Sequence, residues 1–232
     1  MAVSLAQGTG GGDSVRPVPD AAAHDRRRAV LAGHRGDERE ARALLHDLDP
    51  GVRAAALNAL ARMGTVTAAD VAAALDDVDA SVRRRACAVA AAHSGLAVDL
   101  TPLLADGDAS VVEAAAWGLG ERGSASAGAV ADLARIVASH PDPLCREAAV
   151  AALGAIGDRS GLPAILAATR DRPAVRRRAV IALAPFDGPE VDEALQRALA
   201  DRDWQVRQAA EDLLDVRAGE TGAPPATGPP PP

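Results

Sequence analysis

The chain has almost no aromatic residues. Of 232 residues two are Trp, one is Phe and none is Tyr. Strands favour those side chains, so their scarcity argues against a β architecture, and the core must be built from Ala, Leu and Val. Ala and Leu favour helix, and small side chains let helices approach closely. Lysine is missing altogether, since all 25 basic residues are Arg. That removes Schiff-base chemistry and the phosphate-loop lysine. Cysteine is limited to Cys87 and Cys145, too few for a disulfide framework or a Cys-based zinc site. Both fall on apolar positions of the pattern described below, which predicts buried, inert thiols.

Long hydrophobic runs are absent too. No stretch approaches the roughly 18 apolar residues of a membrane span. Residues Met1 to Asp20 lack a basic segment followed by an apolar one, so no signal peptide is expected and the cytoplasm is the expected compartment. The net charge of −7 argues against attraction to nucleic acid or an anionic membrane.

What is present is a repeated phrase: an acidic residue, two spacers, a small apolar residue, then Arg. It reads Asp49-Pro50-Gly51-Val52-Arg53, Asp79-Ala80-Ser81-Val82-Arg83 and Asp108-Ala109-Ser110-Val111-Val112. It continues as Asp142-Pro143-Leu144-Cys145-Arg146, Arg172-Pro173-Ala174-Val175-Arg176 and Asp203-Trp204-Gln205-Val206-Arg207. The apolar markers Val52, Val82, Val111, Cys145, Val175 and Val206 are 30, 29, 34, 30 and 31 residues apart. A period near 30 means a stack of small supersecondary units.

Each period carries two helical patterns. In the second, Val52, Ala56, Leu57 and Leu60 recur at helical spacing. The preceding Asp stands at the N-cap, where its carboxylate takes orphan N–H groups of the first turn. Gly64, Gly123 and Gly157 stand where helices end. First helices are expected over Glu38–Asp47, Ala68–Asp76, Val98–Ala105, Ser126–Ala138, Ser160–Thr169 and Pro189–Ala200. Before them, Arg26-Arg27-Arg28-Ala29-Val30 aligns with Arg176-Arg177-Arg178-Ala179-Val180 and reads as a capping helix. The expected organisation is a Gly-rich disordered tail over 1–20, a repeat array over 21–216 and a Pro-rich disordered tail over 217–232.

The stretch Val150-Ala151-Ala152-Leu153-Gly154-Ala155-Ile156-Gly157-Asp158, followed by Leu162-Pro163-Ala164-Ile165-Leu166 and Val175-Arg176, resembles the HEAT-like repeats first associated with phycobilisome lyases. The likeness covers residues 21–216. It implies an all-α right-handed superhelix, an armadillo-like solenoid of about six helix pairs plus the capping helix. It also implies that Arg53, Arg83, Arg146, Arg176 and Arg207 reach the capping Asp49, Asp79, Asp108, Asp142 and Asp203 of their own or a neighbouring repeat, forming a ladder. Val112 replaces one Arg and Arg172 one Asp, so the ladder should break at the third repeat and weaken at the fifth.

The family spans scaffolds, bilin lyases, an iron-dependent hydroxylase and distant DNA glycosylases, so function must come from the residues. No nucleophile elbow, Walker loop or dinucleotide fingerprint occurs. None of the five His is followed by Glu, and nothing in their spacing makes them converge, so they are expected in solvent. No cofactor or metal site is expected. An enzyme or accessory of the bilin-lyase or deoxyhypusine-hydroxylase type is the alternative reading. A second is nucleic-acid binding through the Arg triplets at 26–28, 83–85 and 176–178.

The preferred reading is a monomeric, non-catalytic scaffold that binds a protein or peptide. In such solenoids the second helices line the concave face. Counting from each marker, positions 2, 6 and 10 share one stripe away from the core. That stripe and its neighbours carry the candidates: Arg84, Arg85, Glu113, Trp117, Glu121, Glu147, Arg177, Arg178 and Ile181. Trp117 is expected either as a binding anchor faced by Arg84 and Arg85 or as a packed core residue. Trp204 is expected to cover the end of the last helix pair.

Overall fold

The computed structural model describes residues 21–221, so the expected tail over 1–20 and most of that over 217–232 lie outside the described residues. All regular structure among the described residues is helical. Helix α1 (Ala21–Arg35) is followed by five α-helical pairs and one irregular one. The pairs are α2 (Glu38–Leu44) with α3 (Pro50–Met63), and α4 (Ala68–Leu75) with α5 (Ala80–Ala92). Then come α6 (Ala109–Glu121), α7 (Val130–Ser139) with α8 (Pro143–Ile156), and α9 (Leu162–Ala168) with α10 (Pro173–Ala182). The last pair is α11 (Pro189–Leu199) with α12 (Trp204–Thr221). Helix α12 therefore runs five residues beyond the expected end of the array.

The second helices pack on one another in chain order, α1 on α3, α3 on α5, and so on to α12. They form one layer, and the shorter first helices form the other. Between the layers lies a continuous core of Leu, Val and Ala, including fully buried Leu57, Leu100, Leu133 and Leu153. No single pair could bury its apolar face alone; stacking supplies the other wall. The chain is an α-solenoid. No helix among the described residues is long and apolar enough to cross a membrane.

The caps form as the sequence implies. Asp49 accepts from the Val52 N–H, Asp79 from Ser81, Asp108 from Ser110, Asp142 from Leu144 and Asp203 from Gln205. Gly64 and Gly157 end α3 and α8 at φ of 70° and 71°, a left-handed conformation costly for other residues. In α8, Gly154 lies so close to α10 that an added Cβ would stand 2.7 Å from the Ala182 Cα.

Two local expectations fail. The first helix of the third pair shrinks to one 3-10 turn, Thr101–Ala105. Residues 93–100 leave the helix, held by the Arg122 Nη1 donating to the Val98 carbonyl at 2.5 Å. Gly95 lies within that stretch and Pro102 just after it, and both disfavour a helix interior. The second failure is the register of α1. Val180 is fully buried, whereas its aligned partner Val30 is 47% exposed. Helix α1, the first described helix, seats instead where Gly33 meets Ala59 of α3.

Candidate functional site: the face of the second helices

The repeated Arg residues are structural, but their partners differ from those the family resemblance implies. Arg53 grips Asp77 with Nε and Nη2 at 2.7 and 2.6 Å. Arg83 holds Asp106 at 2.7 and 2.8 Å, Arg146 holds Asp171 at 2.7 and 2.8 Å, and Arg176 holds Asp201 at 2.9 and 2.7 Å. Each acceptor belongs to the next repeat and sits just ahead of that repeat's cap position. The cap carboxylates are already occupied by backbone N–H groups, and stacking brings the next loop's other Asp beside the Arg. The third nitrogen of each guanidinium, Nη1, donates to carbonyls of its own loop, as Arg83 does to Asp77 and Val78. The Arg side chains hold the Asp77, Asp106, Asp171 and Asp201 carboxyls below the usual carboxylate range.

The ladder breaks at the third repeat, where Val112 replaces Arg. The fourth-repeat residue that should accept is His140 rather than Asp, so both partners of that rung are missing. His140 Nδ1 still accepts the Asp142 N–H at 3.2 Å, the bond its Asp counterparts accept elsewhere. The fifth repeat is not weakened in its rungs: Arg146–Asp171 and Arg176–Asp201 are both closed. What Arg172 loses is the side-chain cap of α10. Arg207, in the last repeat, donates to the Asp201 carbonyl of its own loop.

The histidines are less detached than expected. His93 places its ring nitrogens 3.0 Å from the Val89 oxygen and 3.2 Å from that of Ala61, bridging α5 and α3. Cys87 and Cys145 are fully buried. Burial pushes the Cys87 thiol up to about 12 and the Cys145 thiol to about 11. Among the described residues, no three His, Cys, Asp or Glu side chains group so as to hold a metal ion.

The face of the second helices carries three open grooves. The first, between α3 and α5, is edged by Val30, Asn58, Arg62, Arg84 and Arg85 and contains no acidic residue. The second, between α6 and α8, holds Trp117 with Glu113, Glu121 and Glu147 around a floor of Gly120, Ala151 and Ala152. The third, between α10 and α12, is apolar: Ile181, Trp204, Leu213 and Val216, with Arg177 and Asp212 at its edges. Their volumes are about 740, 510 and 450 Å³, each within the range of a small ligand cleft.

Trp117 is 47% exposed and Ile181 43% exposed, so neither is a core residue. Helical spacing placed both on the outward stripe but left Trp117 open between an anchor and a core residue; its exposure decides that. Arg84 and Arg85 do not face Trp117; they line the first groove, and Arg178 enters the second, 3.3 Å from Glu147. Trp204 does not cover the helix end. It is 64% exposed and lines the third groove beside Ile181 of the preceding repeat. Sequence reasoning missed it because Trp204 joins Ile181 only through α10–α12 packing. Leu144, also exposed and in the second groove, was missed likewise. The Arg triplets do not merge into one strip. Arg83 and Arg176 are spent in the ladder, and Glu113, Glu121 and Glu147 separate the rest.

A family model for HEAT repeats matches residues 97–184 and, overlapping, 132–215. The chain belongs to the HEAT-repeat family. The matched HEAT units span the third to sixth pairs, including both grooves that hold Trp. No curated protein matches the chain. Among solved structures, this HEAT array is similar to YibA of Escherichia coli at a TM-score of 0.60 and 18% identity, covering 88% of this chain and 78% of that one. A designed armadillo repeat protein matches at 0.57 and 16%, covering 76% and 98%. Computationally designed armadillo repeat proteins for modular peptide recognition match at 0.53 and 18%, covering 81% and 98%. At these identities the likeness concerns fold.

Proposed function

We propose that this HEAT-repeat protein is a non-catalytic scaffold that binds a protein or peptide segment across the face of its second helices. One observation carries the reading: Trp117 stands half exposed in a groove among Glu113, Glu121 and Glu147, rather than packed into the core of Ala, Leu and Val. Trp is the residue type most enriched at binding hot spots. Ile181 and Trp204 repeat the arrangement at the third groove. The designed armadillo proteins that share the fold are made for modular peptide recognition, and open grooves between stacked helices suit the same kind of ligand. The separation of the Arg triplets by carboxylates disfavours a nucleic-acid backbone, as does the lack of an aromatic series for base stacking.

The test is Trp117→Ala in the full chain, used beside the unaltered protein as bait for crosslinked partners. The expected result is loss of the partner at a cost of about 2 kcal/mol or more in binding. Unfolding stability should drop by only about 1 kcal/mol, because half of the side chain is already in water. A variant that keeps its partner, or that loses several kcal/mol of stability, would sink the reading.

A further inference from the structure

The three grooves differ in character, and their order along the array is fixed. The first presents Arg62, Arg84 and Arg85 without a carboxylate. The second presents three carboxylates against the single guanidinium of Arg178, with the negative π-face of Trp117 among them. The third is apolar. Among the described residues, Arg84 and Arg85 form no ion pair, and neither do Glu113 and Glu121. The ladder guanidiniums, by contrast, are all engaged. The charges left over are thus sorted by position rather than mixed.

Resting on the scaffold reading above, we infer that the partner segment is an extended peptide carrying acidic, basic and apolar residues in that order from the α1 end to the α12 end. The groove centres are two helices apart. Packed helices are about 8–10 Å apart, so successive grooves lie roughly 20 Å from one another. An extended chain advances about 3.3 Å per residue, which sets the recognised residues about six apart. The acidic residues meet Arg62, Arg84 and Arg85. The basic one stacks on Trp117 between Glu113 and Glu121. The apolar one enters between Ile181 and Trp204.

The test uses synthetic peptides on the full chain. The matched peptide bears paired Asp, paired Arg and paired Leu at about six-residue spacing in a Gly-Ser background. The swapped peptide exchanges its Asp and Arg. With no Tyr in the protein, intrinsic fluorescence comes from Trp117 and Trp204, which line two of the grooves. The matched peptide should change it and bind on the order of tenfold tighter than the swapped one, from several exposed charge pairs acting together. That margin should shrink as salt rises. A variant with Arg84→Glu, Arg85→Glu, Glu113→Arg and Glu121→Arg, checked for helicity, should reverse the preference. The milder pair Glu113→Gln and Glu121→Gln should narrow the preference without reversing it. Equal affinities, or a preference the variants leave unchanged, would overturn the charge order. If both peptides bind equally and both are lost in Trp117→Ala, the face binds peptides but not by charge. If neither binds, the charge order falls, and the partner experiment decides the scaffold reading separately.

Discussion

Replacing Arg83 with Val and Asp106 with His copies, one repeat earlier, the rung that Val112 and His140 leave out. Arg83 makes two bonds to Asp106, at 2.7 and 2.8 Å, and two to carbonyls, at 2.8 and 3.1 Å. Its side chain is 18% exposed and that of Asp106 7%. Breaking a fully buried pair from one side costs about 3–5 kcal/mol, and an exposed pair contributes about 0–1. This pair lies between, closer to buried, so Arg83→Val should cost about 2–3 kcal/mol. It strands a carboxylate that retains only the Asp108 N–H, at 2.9 Å. Asp106→His should cost about 1–2 kcal/mol, because the guanidinium keeps its two carbonyls. The double variant strands neither charge, and a His at that site can accept the following N–H as His140 does. It should therefore be less destabilised than the two singles together by about 1–2 kcal/mol. Urea unfolding followed by ellipticity measures this, with hydrogen exchange in α5 and α6 to localise it, since repeat arrays can depart from two-state behaviour. Additive costs would refute the view that each rung is one coupled unit.

Acid should weaken the array by the same route. The carboxyls of Asp77, Asp106, Asp171 and Asp201 are lowered, chiefly by Arg hydrogen bonds, from a usual value of 3.8. Their contribution is complete above that value and is lost as pH falls through their lower folded values, so unfolding midpoints should hold down to about pH 4 and drop below it. Gly154→Ala gains helix propensity but puts a Cβ 2.7 Å from the Ala182 Cα, so we expect a net loss of about 1–2 kcal/mol by thermal unfolding. A thiol reagent at neutral pH should leave Cys87 and Cys145 untouched in the folded chain and label both in denaturant, because burial raises both thiols.

Much of the architecture is legible in the chain itself. The period, the caps at Asp49, Asp79, Asp108, Asp142 and Asp203, and the exposed stripe through Trp117 and Ile181 are local consequences of helical spacing and end chemistry. The ladder was half legible. Its acceptors recur in Asp77-Val78-Asp79, Asp106-Gly107-Asp108 and Asp201-Arg202-Asp203, and the joint replacement of Arg by Val112 and of Asp by His140 marks the missing rung. A cap Asp and its neighbour look equally suited to Arg in sequence, and only the backbone decides which one is free.

What tertiary structure alone decided lies between repeats. Stacking put Asp106 beside Arg83, and Trp204 beside Ile181. It moved Arg84 and Arg85 away from Trp117 into a groove of their own and turned Val30 outward. The sequence by itself determined which side of the second helices after α1 faces out, because that side follows from a period of 3.6 residues. Which outward residues share a groove depends on the offset between helices about 30 residues apart, and that offset is set by side-chain packing such as Gly154 against Ala182.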